Sequence, residues 1–405
     1  MPLHGLRVVE LGHFVSAPYC ARLLADSGAE VIKVEGPEGD EARRRGPFPD
    51  DLPDPNRSGL FLYLNVNKLG ITLDLRSSLG RKLFFDLLKD ADILVENNPP
   101  GEMDSLGLDF HSLHKEYSRL IVTSVTPFGQ TGPYRDYLGD DLIAANMGGL
   151  TYATPGIPDQ VNDPGQEPPL RPATYVADFT AGIAASVATM LAVLAREWDG
   201  LGRHVDVSEQ EAVASTLTWD LATTSYLGLI KRRGARLGYG LMPNCYLPCK
   251  DGYVVITAIT QEHWLALVEV MGSPDWADSE LFSDGMGRSD NWDALRLLIL
   301  EWTMAHTGRE IYEAAQARGI PCYPANEVSQ AITSEQVVAR RFLRETEVEP
   351  GRVAGFPGLP FRFGDAPLPL RMPAPRLGEH TNTLLSEHLG YTGPELARLR
   401  GMGVI

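Results

Sequence analysis

Cysteine is scarce in this chain, with four among 405 residues. That excludes a disulfide-built scaffold and fits a reducing compartment, so a cytoplasmic protein is expected. Positive charge is in deficit as well: 36 Lys and Arg stand against 53 Asp and Glu, a net charge of −17. A chain of that sign is a poor partner for nucleic acid or an anionic membrane, and neither is expected. An anionic small ligand stays open, because a local pocket can still be positive. Long hydrophobic runs are missing too. The most apolar stretch, Thr180 to Ala195, is rich in Ala, Thr and Ser. It falls short of the ~20 residues of a membrane span and is expected to be a buried helix. The opening MPLHGLRVVEL has neither the apolar core nor the small-residue cleavage site of a secretory leader. There is no internal repeat and no low-complexity tract.

The common catalytic signatures are absent. The strand–turn–helix–strand unit ending at Glu35 has the order of a dinucleotide-binding unit. Its turn, Gly12-His13-Phe14-Val15-Ser16-Ala17, holds one glycine where G-x-G-x-x-G needs three. NAD is therefore not expected. No phosphate-binding P-loop, G-x-S-x-G elbow or H-E-x-x-H occurs. Cys245 and Cys249 form a C-x3-C pair, but no second pair completes a tetrahedral metal site. They read as two half-buried thiols on a strand, and no metal is expected.

What is present is an alternation of strand and helix patterns. Leu6–Leu11, Ala29–Val34, Ile71–Leu75, Ile93–Val95 and Leu120–Val125 read as short strands rich in β-branched residues. Helices are expected over 18–27, 81–89, 179–197 and 209–227. Such alternation implies βαβ units and a mostly parallel sheet. The length predicts two or three domains. Composition changes at Lys231–Gly240. Beyond it, a strand over 252–259 and helices over 262–271 and 291–306 point to a second, smaller domain. The stretches 36–59 and 152–172 read as long surface loops, and a Gly- and Pro-rich run, 350–375, precedes a short helix at 381–389.

Several polar residues invite a functional reading. Asp178 lies directly before a long apolar helix. It reads as an N-cap, whose carboxylate accepts orphan N–H groups. The alternative is a nucleophile, held ionised by the helix dipole and able to attack an activated carbonyl, with free backbone N–H groups facing the product. Asp140 and Asp141 are either a solvated turn or acids shaping an active-site mouth. Arg43-Arg44-Arg45 is a solvated loop or a phosphate contact, as Lys68 or Arg76 could be.

In combination, the residues resemble one known family. The segments are LRVVEL with LLADSGAEVIKVE at 6–35, LNVNKLGITLDL at 64–75, VEN with PG and LGLD at 95–109, FGQTGPY at 128–134 and VADFTAGIAA at 176–185. Beyond them come VDVS and QEA within 200–212, DGYVVI at 251–256, RGIPCYPANEV at 318–328 and LGEHTN at 377–382. Nine segments in order, over nearly the whole chain, resemble the class III CoA-transferases, the formyl-CoA and carnitine CoA-transferase relatives.

The resemblance implies an α/β fold. A Rossmann-like parallel-sheet domain would span 1–227, a smaller α+β domain 228–335, and a C-terminal segment, 336–405, would return to the large domain. It implies an interlocked homodimer with the active site at the domain and subunit boundary. It also implies CoA transfer from an acyl-CoA donor to a carboxylate acceptor, with coenzyme A as the group carried. Asp178 falls on the family nucleophile, which forms an aspartyl anhydride and then an aspartyl–CoA thioester. Asp141 matches an acid beside it and is counted with it as catalytic. Contacts to CoA map to Val15, Ser16 and Ala17, to Leu73 and Arg76, and to Asn97. There are departures. The segment Asn97-Asn98-Pro99-Pro100-Gly101 and Ser105 lack arginines that many relatives carry, so Lys68, Arg43 or Arg135 would compensate. The loop 238–242 has two glycines where some members have a run. Racemases of the same superfamily use a His in a G-H-D context, but this chain reads Gly139-Asp140-Asp141. A racemase, an isomerase or a non-catalytic CoA binder is the alternative.

Overall fold

The β-branched runs of the first half pair into one sheet in the computed structural model, which describes residues 1–154, 168–230, 241–349, 351–364 and 368–405. Its strands are β1 (Arg7–Leu11), β2 (Glu30–Glu35), β3 (Lys68–Thr72), β4 (Ile93–Glu96), β5 (Ile121–Thr126) and β6 (His204–Ser208). All pairs are parallel, in the order β3-β2-β1-β4-β5-β6. This is the doubly wound order, and it reverses direction between β1 and β4. Ligands of such sheets bind beyond the carboxyl ends of the strands at that reversal.

The helices between the strands are α1 (Ser16–Asp26), α2 (Gly59–Asn65), α3 (Ser78–Leu88), α4 (Glu102–Leu106) and α5 (Phe110–Glu116). They continue with α6 (Asp141–Met147), α7 (Leu150–Ala153), α8 (Val176–Asp199), α9 (Glu209–Thr216) and α10 (Thr218–Leu227). Strand side chains alternate between two cores, because successive residues point to opposite faces. Val8 and Val31 meet Ala17, Ala21, Ala181 and Ala185 of α1 and α8. Val9 and Ile32 meet Leu83, Phe84 and Leu87 of α3. Both faces being covered explains why these strands read as unbroken apolar runs.

The chain divides into two compact units. The first is Met1–Thr151, Arg171–Leu227 and Gln336–Ile405; the second is Tyr152–Leu170 and Gly228–Glu335. The second carries an antiparallel sheet, β7 (Asn244–Cys249), β8 (Gly252–Thr257) and β9 (Cys322–Pro324), in that order. Helices α11 (Gln261–Val270), α12 (Gly285–Asp290), α13 (Trp292–Ala305) and α14 (Gly308–Gln316) accompany it. Its core centres on Leu247, Ile256, Trp264, Leu295 and Ile311. Short helices α15 (Val328–Thr333) and α16 (Glu335–Ala339) follow.

The C-terminal segment belongs to the first unit. It forms a hairpin of β10 (Leu343–Glu349) and β11 (Arg352–Pro357), then α17 (Thr381–Glu387) and α18 (Gly393–Gly401). Leu384, Leu385 and Leu399 enter the α3-side core, and the Asp74 N–H donates to the Val404 carbonyl at 2.8 Å.

Three expectations change. The third strand is Lys68–Thr72 rather than 71–75, because Thr72 pairs with Glu35, the last residue of β2, and the chain turns after the Leu73 N–H donates to the Glu35 carbonyl. The helix expected over 209–227 breaks at Leu217 into α9 and α10. The run 180–195 is half-buried rather than buried: α8 turns Ala181, Ala185 and Ala192 inward and leaves Ile183, Val187, Leu191 and Leu194 exposed. At 24 residues, α8 is also longer than that run suggests. Residues 238–240 of the two-glycine loop lie outside the described residues.

Candidate active site

α8 begins without a cap of its own: the Tyr175 side chain accepts none of its first-turn N–H groups. The cap comes from a different helix. Asp141, the first residue of α6, accepts the Ala177 N–H at 2.7 Å and the Asp178 N–H at 3.2 Å, both on Oδ1. Asp140 caps α6 itself, accepting the Ile143 N–H at 2.9 Å. The N-cap reading of Asp178 is thereby corrected. Asp178 is the third residue of α8, its carboxylate is not needed by the helix, and two first-turn N–H groups expected to be free are held by Asp141.

Beside α8 runs the turn after β1. Asn97 fixes it, accepting the His13 N–H at 2.9 Å and donating from Nδ2 to the His13 carbonyl at 2.9 Å and to Ser16 Oγ at 3.2 Å. The Phe14 N–H donates to Asp40 Oδ1 at 2.9 Å, and Phe14 takes a left-handed φ of 62°. Gly182 lets α8 come close to this turn. A Cβ there would stand 2.8 Å from the Ser16 carbonyl oxygen, nearer than side chains tolerate.

Asp178 is 6% exposed, and its Oδ2 has no donor. The group in hydrogen-bonding reach of its side chain is a second acid, Glu209, itself 4% exposed. Glu209 opens α9 directly after β6 and lines the same cavity as Ser16, whose side chain favours its ionised form. Among the described residues no cation pairs with either acid. Burial first, and then the facing charges of Glu209 and Asp141, push the Asp178 carboxyl well above the usual carboxylate range. Burial raises Glu209 and Asp141 in the same direction. The expectation that the helix dipole keeps Asp178 low is overturned. A dipole effect of ~0.3–1 kcal/mol is outweighed by burial among like charges, which shifts carboxyls by up to ~3–5 pH units.

The two acids lie in the wall of a cavity of about 510 Å³ at the carboxyl ends of the strands, where the strand order reverses. His13, Val15, Ser16 and Asn97 line it, with Thr126 at the end of β5, and Arg45, Arg135 and Arg171 bring positive charge to it. Every lining residue belongs to the first unit.

A model of the "CoA-transferase family III" matches residues 3–381. The chain belongs to that family. It is 32% identical to the succinyl-CoA–L-malate CoA-transferase beta subunit of Chloroflexus aurantiacus over 409 residues, covering 100% of this chain and 98% of that one. It is 32% identical to the succinate–glutarate CoA-transferase of Agrobacterium fabrum, over 95% of each chain. Among solved structures, a CAIB/BAIF family protein from Brucella suis superposes with a TM-score of 0.84 at 30% identity, over 96% of this chain and 99% of that one. The protein is thus a CoA-transferase, and its substrates are CoA thioesters and carboxylic acids.

The cavity of this CoA-transferase gathers Val15, Ser16, Asn97, Arg135, Asp141 and Asp178 from the residues named by sequence. It does not gather Ala17, Leu73, Arg76 or Lys68. Ala17 is packed into the α1–α8 core, and Leu73 into the α3 side. Arg76 is exposed and paired with Asp74 at 2.9 Å. Lys68 is wholly buried, paired with Glu10 at 2.7 Å and donating to the Pro18 carbonyl and Asn65. It therefore has no reach to a ligand phosphate. Arg43 is likewise committed, forking onto Glu35 with two 2.7 Å bonds above the Phe61 ring. Sequence reasoning missed Glu209 and Arg171. The VDVS–QEA match flanks Glu209 on both sides and would have drawn attention to it only with knowledge that α9 starts beside α8.

Proposed function

We propose that this CoA-transferase carries CoA on Asp178. Oδ1 of the carboxylate attacks the thioester carbonyl carbon, the C–S bond breaks with its electron pair on sulfur, and an aspartyl–acyl anhydride forms. The thiolate returns to the aspartyl carbonyl carbon, expels the first acid and leaves an aspartyl–CoA thioester. The acceptor acid repeats the steps in mirror image. One thioester replaces another, so the exchange is nearly thermoneutral. Binding of the distant nucleotide end of CoA keeps the thiolate near Asp178 between steps.

The observation that carries this reading is Asp178 Oδ2, a buried carboxylate oxygen without a donor in the wall of the cavity at the strand reversal. Asp141 acts as a positioning residue, since it holds the first turn of α8. The relatives' names supply the donor class. We take succinyl-CoA as donor and a short dicarboxylic or hydroxy acid as acceptor, and three wall arginines suit a second carboxylate bidentately. A homodimer, interlocked as the family resemblance implies, would cover the apolar stripe Ile183, Val187, Leu191, Leu194 and Trp198 on α8.

The test is peptide mass spectrometry after mixing the protein with succinyl-CoA and no acceptor, with hydroxylamine or borohydride trapping. The adduct is expected on the peptide carrying Asp178 and absent from Asp178→Asn. An adduct elsewhere, or exchange retained by Asp178→Asn, overturns the proposal.

A further inference from the structure

Two buried carboxyl groups cannot face each other within hydrogen-bonding reach unless one of them holds a proton, because a carboxylate has no donor. Asp178 and Glu209, 6% and 4% exposed in the wall of one cavity, stand in that relation, and no donor reaches Asp178 Oδ2. The neighbourhood decides where the proton rests. Asn97 donates to Ser16 Oγ, and the Ser16 side chain, on the same cavity wall as Glu209, favours the ionised form of that acid. The proton therefore rests on Asp178 and is shared with Glu209. That arrangement silences the nucleophile until the proton moves.

The geometry points to Glu209 as the residue that takes, keeps and returns the proton of Asp178 during CoA transfer. The inference rests on the proposed role of Asp178 and deepens it. As Oδ1 bonds to the thioester carbon, the proton passes from Oδ2 to Glu209 and the thiolate leaves with the C–S electron pair. Oδ2 becomes the aspartyl carbonyl oxygen, and Glu209, now protonated, donates to it. When the thiolate attacks the aspartyl carbon, negative charge grows on Oδ2 beside that donor. Attack is thereby steered to the aspartyl carbonyl, which makes the CoA thioester, and away from the acyl carbonyl, which only reverses the first step. In the last step the Asp178 carboxylate is released and takes the proton back. No proton is gained or lost over the cycle.

Other charged groups line the same cavity, among them Glu41, Arg45 and Arg135. Asp140 and Asp141 approach from α6, and Arg171 and Tyr175 from the segment before α8. His13 lies in the turn after β1. Asp206 of β6 faces away, accepting the Gln130 N–H at 3.0 Å.

The experiment is the pH dependence of exchange between succinyl-CoA and labelled succinate, which needs no knowledge of the natural acceptor. Wild type should show an acid limb, where both acids are protonated, and an alkaline limb, where the shared proton is lost. Glu209→Gln keeps the shape and a donor but cannot accept the proton. Its rate should fall roughly 100-fold, the low end of ~10²–10⁴ for positioned proton transfer. Its alkaline limb should vanish, and its acid limb should move down, since Asp178 no longer faces a carboxylate. Ser16→Ala removes the side chain that favours charge on the pair, so both limbs should move up. A uniform fall across pH, or no change, in Glu209→Gln with an unaltered melting temperature overturns the role of Glu209. Exchange retained by Asp178→Asn overturns instead the nucleophile assignment beneath it.

Discussion

Removing the borrowed cap of α8 separates charge from hydrogen bonding at the site. In Asp141→Ala the N–H groups of Ala177 and Asp178, held at 2.7 and 3.2 Å, lose their shared acceptor. Loss of a cap costs ~0.5–2 kcal/mol, and bonds to a charged acceptor stand at the upper end. Relief of repulsion between Asp141 and Asp178 offsets part of it. A net loss of about 1.5 kcal/mol is expected, which lowers the melting temperature by roughly 3–6 °C at ~2–4 °C per kcal/mol. Asp141→Asn keeps an oxygen able to accept both N–H groups, so its melting temperature should fall by less than half as much. Both variants remove a negative charge that raises Asp178. The sign follows: Asp178 ionises at lower pH, and the acid limb of succinyl-CoA/succinate exchange moves to lower pH in both. Thermal melts beside pH–rate profiles read the two effects separately. Equal melting losses for Ala and Asn would refute the cap, and an unmoved acid limb would refute the electrostatic coupling.

Three further outcomes follow from the same structure. Asp178→Asn should stabilise the ligand-free protein at pH 7–8 but not at pH 4. A carboxyl raised in the folded state binds its proton more tightly than the unfolded chain does, so folding loses stability as pH rises above ~4 until the raised value is reached; equal melting of the two proteins at pH 8 would contradict this. Gly182→Val should cost at least ~1–3 kcal/mol and slow exchange, since its Cβ would stand 2.8 Å from the Ser16 carbonyl and push α8 off the turn that carries Ser16; normal exchange would show the approach to be dispensable. Lys68→Met should cost about 3 kcal/mol in chemical denaturation by leaving Glu10 short of a partner, without raising the KM for succinyl-CoA; a raised KM with unchanged stability would return Lys68 to the ligand.

Much of the fold is legible in the chain itself. Short β-branched runs separated by helical spacings give the parallel sheet, and β3 shifts by a few residues only because a strand ends where its partner's free groups end. Asp178 is also legible as a residue of consequence, since an acid just before an Ala- and Gly-rich helix is seen in sequence alone. Its state is not. Whether it caps the helix depends on Asp141, which arrives from α6. Whether it is ionised depends on Glu209, which arrives from the end of β6 and lies inside a matched segment without marking itself.

The basic residues divide in the same way. Lys68, Arg43 and Arg135 look alike in sequence, as cations in or near loops. Folding buries Lys68 against Glu10 and Arg43 against Glu35 and leaves Arg135 on the cavity wall. The periodicities, the segment order and the long Ala-rich helix around Asp178 are set by the chain's own sequence, because those follow from local sterics and the burial of patterned apolar faces. Tertiary packing, by contrast, settles which acids meet and which cations reach the cavity wall. Those depend on distance and desolvation between residues far apart in the chain, and neither has a local signature.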